Sequence, residues 1–144
     1  MLHVSDSGMI QLNRGDSFKL PLIINCGTAL EPIQYLLADN DIIYFAVLEP
    51  NSLFENAIIR KKYTNRDELD DNGNLYIRLS PKDTENLLPG RYYYTIKMQT
   101  MLKDGDYDVQ TIVPETELQL MRWFNYGSTL WKIKYGNDTY KIYR

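Results

Sequence analysis

Few residues in this chain could do covalent chemistry. His3 is the only histidine and Cys26 the only cysteine among 144 residues. A Ser-His-Asp or Cys-His arrangement would have to use that one imidazole, and a zinc site would lack ligands. Paired carboxylates, the requirement for glycoside hydrolysis, occur at Asp70-Asp71 and at Asp104, Asp106 and Asp108. All of these sit in turn-like segments containing glycine, where water keeps them ionised, whereas acid catalysis needs a desolvated carboxyl. Asp70-Asp-Asn-Gly-Asn74 and Asp104-Gly-Asp-Tyr-Asp108 also present alternating oxygens, as calcium loops do. Neither has the later acidic ligand of an EF-hand. Arg14-Gly15-Asp16 spells a cell-adhesion tripeptide, but a turn accounts for it, with glycine supplying the backbone freedom. No glycine loop for phosphate is present. The inventory implies no catalytic residue, no cofactor and no resident metal beyond a surface calcium ion that one of the two acidic loops could take, and points away from an enzyme.

The richest patch is aromatic: Trp123, Phe124, Tyr126, Trp131, Tyr135, Tyr140 and Tyr143. Such a group can be a small satellite core, a protein–protein contact or a platform on which sugars stack. Its charge is distinctive. Residues 122–144 carry Arg122, Lys132, Lys134, Lys141 and Arg144 against Asp138 alone, +4 in a chain of net charge -3, so the remainder is acidic. The lysines favour an acidic protein surface over a neutral sugar. That surface could belong to the chain's own body or to the next copy, and head-to-tail docking of copies builds rings. Trp123, Trp131, Lys132, Tyr135 and Tyr140 are the expected partner-binding residues.

The elements that must carry this patch read as strands. Leu75, Ile77 and Leu79 alternate with Tyr76 and Arg78. Tyr92, Tyr94, Ile96 and Met98 alternate with Arg91, Tyr93, Thr95 and Lys97. Period two predicts two half-buried strands. Between them Ser80-Pro81 starts one helical turn and Pro89-Gly90 ends it. Leu88-Pro-Gly-Arg-Tyr92 has the form of a tyrosine corner at the start of strand F of a sandwich. Further strands are predicted at Met9–Leu12, Ser17–Ile24, Ile42–Leu48, Ala57–Tyr63, Tyr107–Val113 and Thr116–Trp123, with a loop over Asn25–Ile33 and an interruption at Pro114-Glu115. Pro21 cannot donate to a ladder and predicts a free edge or a bulge. Ile42–Leu48 is apolar on both faces, so it is a central strand covered twice or one covered by a neighbouring molecule. Arg60-Lys-Lys62 would blunt a sheet edge. Lys103-Asp-Gly-Asp106 is a hairpin turn. Thr129–Tyr135 and Asp138–Tyr143 predict a second hairpin, which alone would be marginal in water. The expected architecture is all-β: an immunoglobulin-like sandwich over residues 1–121, with one short helical turn between strands E and F, and a C-terminal hairpin extension over residues 122–144.

Composition agrees with an ordinary folded domain, 44% hydrophobic and 24% charged. Twelve tyrosines are the unusual count, and tyrosine suits strands and half-wet surfaces. The acidic net charge argues against nucleic acid as a main partner. Cys26, set among Ile23, Ile24 and Gly27, is expected to be a small packed residue. No apolar run reaches membrane-spanning length. The first residues have neither the basic start nor the apolar core of a signal peptide, so synthesis in a cytoplasm without the usual export is expected.

Four ordered pieces carry a resemblance. They are Ile10-x-Leu12-x-Arg14-Gly15-Asp16-Ser17-Phe18, then Leu37-x-Asp39-x-Asp41-Ile42-Ile43-x-Phe45-x-Val47. Next comes Leu75-x-Ile77-x-Leu79-x-Pro81-x-Asp83-Thr84-x-x-Leu87-x-x-Gly90-x-Tyr92-x-Tyr94-x-Ile96, and last Val109-x-Thr111-Ile112-x-Pro114. Together they resemble small bacteriophage virion domains, among them the N-terminal immunoglobulin-like domain of the BppU upper baseplate protein family. Asn40 stands where those sequences often have glycine, and residues 122–144 have no counterpart there. The resemblance implies a non-enzymatic virion structural protein, made in a bacterial host's cytoplasm and present in many copies. Its partners would be other virion proteins and copies of itself, in tail, baseplate, neck or capsid. A carbohydrate-binding module for host-surface glycan is the alternative the aromatic patch allows.

Overall fold

Strands form where apolar side chains alternate. The computed structural model describes residues 3–4, 8–28 and 30–122. Within them the strands are β1 (His3–Val4), β2 (Ile10–Asn13), β3 (Phe18–Leu22), β4 (Ile24–Gly27), β5 (Pro32–Tyr35), β6 (Asp41–Leu48), β7 (Ile59–Tyr63), β8 (Leu75–Leu79), β9 (Gly90–Met101) and β10 (Tyr107–Met121). One helical turn, α1 (Pro81–Thr84), separates β8 from β9. The protein is all-β in class. Apart from Arg122, the C-terminal piece lies outside the described residues.

β1, β2, β10, β9, β6 and β7 form one six-stranded sheet in that order. All its pairs are antiparallel except β2 with β10, which run parallel. β3 and β8 form a two-stranded ribbon, and β4 and β5 another. Phe18 of β3 and Leu75, Ile77 and Leu79 of β8 share one core with Ile10, Leu12, Ile43, Phe45, Tyr94, Ile96, Leu118 and Leu120 of the large sheet. Leu12 is wholly buried and Phe45 is 1% exposed, and each such side chain contributes about 1.5–3 kcal/mol by leaving water.

β6 is covered on both faces. Asp41, Ile43, Phe45 and Val47 point into the core, yet Ala46 and Leu48 on the opposite face are also buried. A 3₁₀ turn at Phe54–Asn56 supplies the second cover. The Phe54 ring lies 4.7 Å from the Lys97 ammonium and 5.8 Å from the Arg60 guanidinium. Lys97 pairs with Tyr44 and Arg60 with Ala46, so this ring stands over the outer face of β6. The chain therefore covers this part of its own central strand. β7, with Arg60-Lys-Lys62, is an edge of the sheet.

Four local expectations change. The strand expected over Ser17–Ile24 breaks at Ile23, and the loop expected over Asn25–Ile33 instead contains most of β4 and the start of β5. β4 pairs with β5 from Ile24↔Tyr35 to Gly27↔Pro32. This ribbon touches the core only through partly buried side chains such as Ile24 and Tyr35, and Cys26 is exposed rather than packed. Pro114-Glu115 does not end a strand. β10 runs through it, and the irregularity appears as register shifts between Thr111 and Thr116, because a bulge accommodates a residue that cannot donate.

Candidate functional site

The surface turns are held by their own side chains. In the Arg14-Gly15-Asp16 turn, Gly15 has φ of 87°, a conformation glycine adopts without strain. Its N–H donates to the hydroxyl of Thr84 at 2.9 Å, and Arg14 Nη1 donates to the Leu87 carbonyl at 3.3 Å. The tripeptide clamps α1 to the β2–β3 turn. At the start of α1 the Asp83 carboxylate accepts the Ser80 N–H at 2.7 Å and pairs with Lys61 at 2.9 Å. Burial pushes this carboxyl up, but those partners outweigh it and hold it below the ordinary value.

The two acidic loops are likewise internally bonded. Asp70 accepts the N–H groups of Asn72 and Asn74, at 2.9 and 2.8 Å, and the Asn74 side-chain amide at 3.2 Å. These bonds, the Asn74 N–H first, lower its carboxyl below the usual range. Asp104 accepts the Asp106 N–H at 3.1 Å. Among the described residues no group of three or more His, Cys, Asp or Glu is placed to hold a metal.

Asp41 is the one fully buried carboxylate among them. It accepts the Tyr35 hydroxyl at 2.5 Å, the Ala38 N–H at 2.8 Å and the Thr100 hydroxyl at 2.7 Å. Burial alone would raise its pKa, but these three donors outweigh it and the net direction is down. Tyr35 is pushed up to about 12, first by its bond to Asp41 and then by burial. With every donor paired, the cluster is a fastener tying β5 to β6 and β9.

Beyond this fastener the β9–β10 hairpin projects past the core. The Asp104-Gly-Asp106 turn closes it, with Leu102 N–H bonded to the Asp106 carbonyl at 2.7 Å. Residues directly opposite one another share a face. Tyr107 faces Met101 and Val109 faces Gln99, on the side away from the core, while Asp108 faces Thr100 and Gln110 faces Met98 on the core side. The core side has turned polar here, so packing ends. What remains between this hairpin and the β4–β5 ribbon is a groove of about 310 Å³, lined by Ile24, Cys26, Tyr35, Leu102 and Asp108 among others.

Exposed apolar side chains lie on both faces of this tip. Ile23, Ile33 and Leu36 come from the β4–β5 region, and Met101, Leu102, Tyr107 and Val109 from the hairpin. Ile33 is 61% exposed, Tyr107 59% and Val109 53%. The backbone is open as well. β10 has a neighbour on the β2 side only at Leu118–Met121, and among the described residues no strand pairs with that edge from Tyr107 to Val113. Unlike β7, this edge carries no run of lysine or arginine to blunt it.

Trp123, Trp131, Lys132, Tyr135 and Tyr140, the expected contact residues, lie outside the described residues, so the structure neither joins nor separates them. The tip was missed because each of its residues is ordinary in sequence. Its signal was the alternation of Tyr107 and Val109 with Asp108 and Gln110, apolar on one side of a strand and polar on the other. Compared with protein-family models, with curated proteins and with solved structures, the chain matches none of them.

Proposed function

We propose that this chain is a non-enzymatic structural protein of a bacteriophage particle, joining or decorating components of tail, baseplate, neck or capsid through protein–protein contacts. Its body is an immunoglobulin-like β-sandwich in this reading, made in the host cytoplasm and incorporated into the virion. The order β10-β9-β6-β7 fits strands G-F-C-C′ of a variable-type sandwich, and the β3–β8 ribbon fits strands B and E. The Tyr92 hydroxyl donating to the Leu88 carbonyl at 2.6 Å fits a tyrosine corner. The four motif pieces supply the virion context.

The observation that carries an assembly role is the tip, where exposed apolar side chains and an open strand edge occur together. Either feature on a lone soluble domain invites association. A role without chemistry is supported by the carboxylates whose ionisation is shifted among the described residues: Asp41, Glu68, Asp70 and Asp83 are all moved down, whereas a general acid must be moved up. The test is mass spectrometry of purified particles followed by imaging of particles carrying a tagged copy. Stoichiometric presence at a repeated position is expected. Absence from particles overturns the proposal, and absence together with hits on a glycan array replaces it with carbohydrate binding.

A further inference from the structure

The tip and the basic C-terminal segment are complementary face by face. The open edge of β10 presents Tyr107 and Val109 on one side and Asp108 on the other, next to Asp104 and Asp106 in the turn. None of these three aspartates is in an ion pair among the described residues. The segment Thr129–Tyr135 alternates in the same way, with Trp131, Ile133 and Tyr135 on one side and Lys132 and Lys134 on the other. Added as a strand to that edge, it places its aromatic side against Tyr107 and Val109 and its lysines beside the aspartates. Main-chain bonds supply affinity in such an addition, and alternate side chains supply register.

We infer that a second copy of this chain provides that strand, so that residues 129–143 of one copy dock on the Tyr107–Val113 edge of the next. The inference rests on the assembly reading and names its partner. Reach favours another copy over the same one. The segment departs after Met121, whose carbonyl is bonded to the Arg14 N–H beside β2, at the end of β10 opposite the tip. Fifteen residues of β10 put those ends roughly 45 Å apart. To lie along its own edge, Thr129 would have to reach Val113, eight residues or roughly 26 Å back along β10, and the lead of residues 122–128 spans roughly 26 Å at full stretch, over a path that β2 occupies beside Leu118–Met121. Folding back on its own tip would leave no slack, while a neighbour's tip imposes no such limit. Docking of this kind is heterologous, so it propagates into a ring or a row of copies.

A charge swap in full-length protein tests this. One variant carries Asp104→Lys, Asp106→Lys and Asp108→Lys; the other carries Lys132→Glu, Lys134→Glu and Lys141→Glu. Wild type is expected to self-associate in sedimentation experiments, less so at high salt. Each variant alone should associate at least about tenfold more weakly, with its melting temperature preserved, and an equal mixture of the two should recover association. A thiol–amine cross-linker should join Cys26 of one copy to a lysine of the C-terminal segment of another. A monomeric wild type, association that both variants keep, or cross-links only within one chain overturns the inference. Monomeric protein that still enters particles removes this docking and leaves the virion role. Self-associating protein absent from particles removes the virion role and leaves the docking.

Discussion

Tyr92 and Leu88 are joined across the start of β9: the tyrosine hydroxyl donates to the leucine carbonyl at 2.6 Å. The preceding carbonyl, that of Leu87, is held by Arg14. Two adjacent carbonyls of one loop are thus fixed from two places, strand β9 and the β2–β3 turn. Burial moves the Tyr92 phenol up, so it remains a donor throughout the neutral range. Tyr92→Phe should cost about 1 kcal/mol, the net worth of one such bond, and lower the melting temperature by roughly 3 °C. Differential scanning calorimetry reads this directly. An unchanged Tm would mean that the bond does not hold the corner.

Thr84 is buried and accepts the Gly15 N–H. Thr84→Val keeps the shape and removes the acceptor, leaving that N–H unpaired at a cost of about 1–3 kcal/mol. Thr84→Ser should retain most of the stability, since the hydroxyl remains. Urea titration of the pair separates hydrogen bonding from packing, and equal loss in both variants would assign the effect to the missing methyl.

The Asp41–Tyr35 pair sets opposite pH limits. Asp41 is shifted down, so its stabilisation is complete above its unfolded value near 4 and disappears as pH falls through the folded one. Tyr35 is shifted up to about 12, so its contribution is complete below its unfolded value near 10 and disappears as pH rises through about 12. Asp41→Asn should flatten the acid limb of a stability–pH curve. Tyr35→Phe should soften the alkaline limb without abolishing it, because burial also raises Tyr63, Tyr92 and Tyr94. Variants with unchanged limbs would place the titrating groups elsewhere.

Phe45→Ala removes the largest wholly enclosed side chain of β6, whose ring centroid lies 5.9 Å from that of Tyr94. A loss of about 3–5 kcal/mol is expected. Trp131→Ala should behave oppositely, leaving the melting temperature nearly unchanged while weakening incorporation into particles. A large fall in Tm with normal incorporation would assign Trp131 to an internal core.

Alternation made most of the strands legible. Leu75, Ile77 and Leu79 declare a buried face because period two admits no other arrangement, and Ser80-Pro81 with Asp83 declares a helix start. The β4–β5 ribbon was not legible. Asn25, Cys26 and Gly27 have no apolar alternation, and their pairing is set by contact with Pro32–Tyr35 rather than by burial. Cys26 was misread for the same reason, since its apolar neighbours Ile23 and Ile33 are themselves exposed. The second cover of β6 was legible as a need but not as a source, because Phe54 in a 3₁₀ turn has no periodicity to announce it.

The parallel pairing of β2 with the end of β10 sets the order in which the molecule can be made. Gln11 bonds to Gln119 at 2.9 Å across 108 residues, and Leu12 lies opposite Leu120. A ribosome moving at about 5–20 residues per second takes roughly 5–20 s to cover that interval. Throughout that interval β2 has only the two-residue β1 beside it, and such distant closure is slow even once the chain is complete. The nascent chain therefore carries β2 with one side open until nearly all of the body has emerged.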